Sequence, residues 1–296
     1  MQTSDRTVTS QVAPGRWGEK QLTGFRAERR STVAYEDVKW TIEDEDYLAE
    51  VVAVVALGQA SHAAALISAL SPIAPAFSTD QLRAAALSTL DIQAGTADEM
   101  DARRWQRDGL LFEVLSWIAL IETYTGVNYL VRDPHLGSTT QGLDGLLLEL
   151  DPESGQVVRT VILEDKCSES PRRTFRSLVM PAFVSHHKND RAPDLVATAA
   201  SLLTRRFDGT SAVRNAAAVL DIRLRGYRAS LAVEPGFDAS PRRLNLFKGY
   251  DSLDGMTAAN REGGGFVVGE DLRQWFDQFA ARVRRAVEQT DMSGIV

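Results

Sequence analysis

The apolar residues of this chain fall into patterns that predict its elements one by one. In EDLRQWFDQFAARVRRAVEQ (270–289), Leu272, Trp275, Phe276, Phe279, Val283 and Val287 recur at helical spacing, which predicts an amphipathic helix. DARRWQRDGLLFEVLSWIALIETYTG (101–126) reads as a long helix with Gly126 as its terminator. Its centre is apolar almost all round, so it is expected to be buried. NYLVRD (128–133), residues 143–150 and residues 157–167 are short apolar runs, the last rich in β-branched residues. A polar loop (135–142) and a DPESG turn separate them, and they predict strands. Ser170-Pro171 supplies an N-cap and a first-turn proline for a helix that runs to about His187. The order is helix, three strands, helix.

The flanks are patterned less sharply. Residues 1–30 are polar with scattered Gly, Pro, Ser and Thr and are expected to form a flexible or irregular lead-in. Residues 31–96 are expected to form a helical N-terminal extension. It is alanine-rich from Asp44, broken at Ser71-Pro72 and Pro75, and restarted at Ser78-Thr79-Asp80. The core is assigned to 97–235 and a C-terminal extension to 236–296. ASLLTRRF and SAVRNAAAVL read as helices, and LDIRL and YRASLAVEP as strands around an Arg225-Gly226 turn. GGGFVVG (263–269) is a candidate short strand, with the three glycines read as a flexible loop.

Composition narrows the class. With 296 residues and 44% hydrophobic content, the chain can bury a substantial core. Asp and Glu number 40 against 33 Lys and Arg, for a net charge of −7. An acidic total argues against a sequence-independent nucleic-acid coat and requires any such contact to come from a focused basic patch. The single cysteine, Cys167, excludes an internal disulfide and a cysteine zinc cluster and fits a reducing cytoplasm. The first twenty residues hold no apolar signal core, and the apolar segments are too short or too interrupted to span a bilayer. A cytoplasmic protein without membrane contact is expected.

Candidate chemistry sits at the open end of the second and third strands. Side chains alternate along a strand, so Glu164 and Lys166 share one face with Ile162, and Asp165 takes the other. If the DPESG turn closes an antiparallel hairpin with Asp151 near Val157, position 144 falls opposite 164. Opposite residues point to the same face with Cβ atoms roughly 5 Å apart. Asp144, Glu164 and Lys166 are then neighbours, provided the register does not slip. Two facing carboxylates repel unless a cation lies between them. Mg²⁺ suits that place because it takes oxygen ligands and keeps waters, which would serve phosphodiester hydrolysis, with Lys166 orienting water or offsetting charge on the phosphate.

Asp144 followed by Glu164-Asp165-Lys166 on the next strand, within helix–strand–strand–strand–helix, resembles the PD-(D/E)xK nuclease superfamily. The resemblance covers roughly residues 102–233. It implies an α/β protein with a restriction-endonuclease-like core, a mixed sheet flanked by helices. It implies Mg²⁺ or Mn²⁺ held by Asp144, Glu164 and the backbone carbonyl of Asp165. Lys166 would assist the attacking water, and Glu113 on the preceding helix would support the metal shell. The family's proline before the first acid is replaced here by Leu143.

Plainer readings stand beside these. Glu164 and Lys166 can be an ordinary same-face ion pair, Asp144 a turn residue, and Glu113 half of a structural salt bridge. Glu122 reads as a structural acid. Arg172, Arg173 and Arg176 at a helix start suit a nucleic-acid backbone, or are a solvated helix end. Gln141 and His186-His187-Lys188 are weaker substrate-contact candidates, and Cys167 reads as a strand residue rather than a nucleophile. The expected function is a metal-dependent nuclease acting on DNA. The alternative is a catalytically silent protein of that fold acting as a nucleic-acid-binding or regulatory subunit. Fold-level analogy adds an effector subunit of a bacterial antiviral defence system, and the last amphipathic helix could pack on a partner, which allows a homo-oligomer. No G-x-x-x-x-G-K-[ST] occurs, so an ATP-driven step would need a helicase or ATPase partner chain.

Overall fold

A computed structural model describes residues 18–124, 126–135, 143–237 and 241–290. They form an α/β structure around one mixed sheet. The strands are β1 (Gly18–Gln21), β2 (Phe25–Ser31), β3 (Glu36–Ile42), β4 (Tyr129–Val131), β5 (Gly145–Leu150), β6 (Val157–Lys166), β7 (Arg225–Val233) and β8 (Arg261–Val267). Across the sheet they run β1-β2-β3-β8-β7-β6-β5-β4. The four central strands β3, β8, β7 and β6 are parallel, and antiparallel hairpins continue the sheet on both sides.

Helices cover both faces. On one lie α1 (Glu45–Ala56), α2 (Ala60–Ser68), α3 (Asp80–Leu90), α4 (Ala97–Thr123) and, from the end of the chain, α10 (Leu272–Gln289). A Thr96–Glu99 capping box opens α4, and it ends before Gly126, whose φ of 118° suits glycine. On the other face a continuous helix comprises α5 (Pro171–Thr174), a π-turn (Phe175–Val179) and α6 (Met180–His187). It is joined there by α7 (Ala192–Leu203), α8 (Gly209–Ala216) and the short α9 (Arg242–Leu246). All six apolar residues that predict α10 are buried.

The flanks differ from expectation. Residues 25–31 and 36–42 are strands of the sheet, not lead-in or helical extension. Phe25, Ala27, Val38 and Trp40 provide their buried face. The charged residues between them pair with neighbouring strands, as Lys39 does with Glu28 at 3.3 Å and Arg29 with Glu262 at 2.8 Å. A charge-rich strand therefore has little local signature. The C-terminal part is equally integral, because β8 lies between β3 and β7. No boundary at 96 or 235 separates a core from its extensions.

Arg225-Gly226 is not a turn. It opens β7, all nine residues of which are buried. Arg225 is accommodated because Nη1 donates to His186 O at 2.6 Å, and Nη2 donates to Val219 O at 2.7 Å and Asn189 Oδ1 at 2.8 Å. The glycines 263–265 likewise form the middle of β8 rather than a loop. A Cβ at Gly263 would meet Phe247 Cδ2 at 2.7 Å, at Gly264 Trp40 Nε1 at 3.2 Å, and at Gly265 Arg243 Nη1 at 3.0 Å. Glycine is there so that large side chains can lie directly on the strand. Gly263→Ala should lower the unfolding free energy by about 1–3 kcal/mol, since the fully buried Phe247 ring has no room to yield. Urea denaturation at unchanged m-value would measure this, and a neutral substitution would contradict the packing argument.

Candidate active site

The β5–β6 hairpin brings the predicted acids together. Gly145 pairs with Leu163, Leu146 with Ile162 and Glu149 with Arg159, the offset expected from the sequence. A bulge near the turn moves Leu150 onto Val157 without disturbing the open end. Continued by one residue, that offset sets Asp144 opposite Glu164. Lys166 Nζ lies 2.9 Å from Glu164 Oε2 and also donates to Asp144 Oδ2. Asp144 Oδ2 accepts a further bond from the Asp165 amide at 2.9 Å, which anchors the carboxylate to β6.

One ammonium thus serves two carboxylates. Glu164 is only 5% exposed. Burial, and then the adjacent Asp144, push its pKa well above the ordinary glutamate range, against the pull of Lys166. Burial also works against the Lys166 charge, but Asp144 and Glu164 outweigh it and hold its pKa above the usual lysine value. With both acids ionised, the cluster would carry two negative charges against one positive.

The other expected residues lie across the sheet. Ile162 packs among the residues of α5–α8, whereas Val161 and Leu163 pack with α4. By strand alternation Glu164 and Lys166 belong to the first face and Asp165 to the second. Ser116 Oγ, on α4, donates to Asp165 Oδ1 at 2.7 Å. Burial raises the Asp165 pKa to about 6, with Arg228 countering. Glu113 is also on the α4 side, where its Oε1 accepts from the His135 amide and lies 2.8 Å from His135 Nδ1. His135 Nε2 meets Arg132 Nη2 at 3.0 Å, and Arg132 Nη1 donates to the Leu143 carbonyl. Glu113 is thus tied through His135 and Arg132 to the residue before Asp144. Glu113, Asp144 and Asp165 line one narrow cleft. His135, Arg132 and Ser116 were not signalled by any motif, since their role depends on which loop and helix the sheet brings alongside.

Among the described residues no three His, Cys, Asp or Glu side chains converge closely enough to hold a metal by themselves. The donor set nonetheless fits Mg²⁺ or Mn²⁺. Such an ion needs only one or two protein carboxylates besides waters, and the Asp144–Glu164 pair exceeds its single ammonium in charge.

The basic residues divide. Arg172 Nη1 donates to Lys248 O at 2.7 Å and Leu246 O at 3.3 Å, so it ties α5 to the segment after α9. Arg173 and Arg176 are exposed, the latter on the π-turn. Burial lowers the His186 pKa to about 4 and leaves a neutral ring in the interior. Burial pushes the Cys167 thiol up to about 12, which does not favour a nucleophile. Glu122 accepts from the Gly24 amide at 3.1 Å, a structural role. Gln141 lies outside the described residues. Comparison with protein-family models, curated proteins and solved structures finds no match to this chain.

The charge imbalance has a measurable consequence. An acid whose pKa is raised on folding binds more protons in the native state, so its contribution to stability is present at low pH and is lost as pH rises through the native value. With chelator present, stability should therefore fall from the ordinary carboxylate range through about pH 6, where Asp165 ionises, and above it as Glu164 follows. Glu164→Gln should flatten the upper part of that slope and stabilise the chelated protein above pH 7 by on the order of 2 kcal/mol. An unchanged slope in thermal melts would contradict the assignment.

Proposed function

We propose that this protein is a divalent-metal-dependent nuclease whose centre is Asp144, Glu164 and Lys166, built on a PD-(D/E)xK, restriction-endonuclease-like core. The observation that carries the reading is the convergence of two carboxylates on one ammonium at the open end of a buried hairpin. The helix–strand–strand–strand–helix order on which the resemblance rests is present as α4, β4, β5, β6 and α5–α6. That no helix is long and apolar enough to cross a membrane among the described residues accords with a polymer substrate met in water.

Asp144 and Glu164, with the main-chain carbonyl of Asp165, would hold Mg²⁺ or Mn²⁺. When bound, such an ion polarises a phosphoryl oxygen and acidifies its water. The protein's own groups do the rest. The Asp165 amide holds Asp144 in place. Lys166 brings a fixed positive charge to the point where charge builds on the scissile phosphate. Arg173 and Arg176, exposed at the helix that follows β6, grip the flanking backbone and provide the basic patch that an acidic protein needs. Arg172, occupied with backbone carbonyls, fixes that helix rather than the substrate. DNA is the substrate assigned, and a role as a defence effector driven by a helicase or ATPase partner is the context this reading suggests.

Plasmid and oligonucleotide cleavage with Mg²⁺ or Mn²⁺ tests the proposal. Wild type should cut, EDTA should abolish cutting, and Glu164→Ala and Lys166→Ala should each lower the rate by roughly 10²-fold or more. No cleavage by wild type, alone or with a helicase or ATPase encoded nearby, would overturn it and favour a binding subunit that keeps the fold.

A further inference from the structure

A second polar cavity lies at the opposite end of the sheet from Asp144 and Glu164. It has a volume of about 220 Å³, and Arg29, Arg159, Arg228, Tyr124, Glu36 and Glu262 are among its lining residues. It opens where β6 and β7 begin, below the C-terminal end of α4.

The charge on its walls is unbalanced. Three arginines stand against two glutamates, leaving one positive charge. Glu262 is already engaged by Arg29 at 2.8 Å and by Arg228 at 2.9 Å. The nearest carboxylate to Arg159 is that of Glu149, at the long separation of 3.9 Å. The Arg29 and Arg159 side chains keep 34% and 35% of their surface accessible, while Arg228 is only 1% exposed. The Tyr124 hydroxyl stands amid the same groups. Burial and Glu262 hold its pKa above the ordinary tyrosine value, against the pull of Arg159, Arg29 and Arg228.

The geometry points to an anion-binding site in this cavity that takes a phosphate group, either inorganic phosphate or the phosphate of a small phosphomonoester. Guanidinium forks match phosphate oxygens in spacing and charge. The cavity is far larger than the ~10–15 Å³ that holds one water and has room for a tetrahedral oxyanion with a short organic body. A neutral ligand would leave the excess charge unmatched. Arg228 also links the site to the hairpin, because its Nη1 lies 3.3 Å from the Ser116 Oγ that bonds Asp165. The site stands whether or not the hairpin cuts nucleic acid, because none of its lining residues belongs to that centre.

Isothermal titration of the whole chain with inorganic phosphate, and separately with glycerol 3-phosphate, tests it at constant ionic strength with chloride as the control. Wild type should bind at least one of the two with saturable heat, and the tighter ligand tells free phosphate from a phosphomonoester. Arg159→Ala, which removes a partly exposed side chain outside the core, should weaken binding roughly tenfold, and Tyr124→Phe should weaken it less. Circular dichroism would verify that both variants fold. No saturable binding of either ligand by wild type, or unchanged affinity in folded Arg159→Ala, would overturn the site.

Discussion

Charges placed on strands that are covered on both faces have to find partners inside the protein, and this constraint shapes most of the structure. The central strands β3, β8, β7 and β6 run between two helical layers. They nevertheless carry Asp37, Arg225, Arg228, Glu262, Glu164 and Lys166. Most are matched within the fold. Arg243 Nη2 meets Asp37 at 2.8 Å, Arg228 and Arg29 share Glu262, and Arg225 is held by carbonyl and amide oxygens. Buried pairs of this kind are weak evidence for stability, because the desolvation they require offsets much of their attraction. They do forbid alternatives, since a shift of one strand would strand several charges without partners.

At the open end of β5 and β6 the same constraint is met incompletely. Two carboxylates share one ammonium in a site closed to most solvent. A surplus of negative charge around a fixed lysine is what a cation-dependent phosphodiester chemistry would require, and this links the packing of the hairpin to the proposed activity. The Glu113–His135–Arg132 relay borders that centre at Asp144 and acts on the backbone at Leu143.

Elements with a strong local period were legible in the sequence. The α10 stripe, the capped α4 and the helix opened by Ser170-Pro171 all have the expected position. The hairpin register was legible too, because a slip would turn Leu146, Leu148 and Ile162 from one core into the other. β2 and β3 were not, since their polar positions satisfy themselves with residues as distant as Glu262. β7 and β8 were legible as strands in YRASLAVEP and GGGFVVG, but their starts were misread because Arg-Gly and Gly-Gly-Gly are turn-like locally. Only the surrounding Phe247, Trp40 and the carbonyls near His186 make them strands.

By itself, the sequence determined the helix–strand–strand–strand–helix order and the meeting of Asp144, Glu164 and Lys166. Both follow from short-range periodicity and from one turn that fixes its own pairing. Tertiary structure alone decided that the first and last strands join the same sheet, that Glu113 answers to His135, and that three arginines distant in the chain face one cavity. Those arrangements depend on partners more than twenty residues away, and the stabilisation comes from matching buried charge and filling space across layers, which no local pattern records.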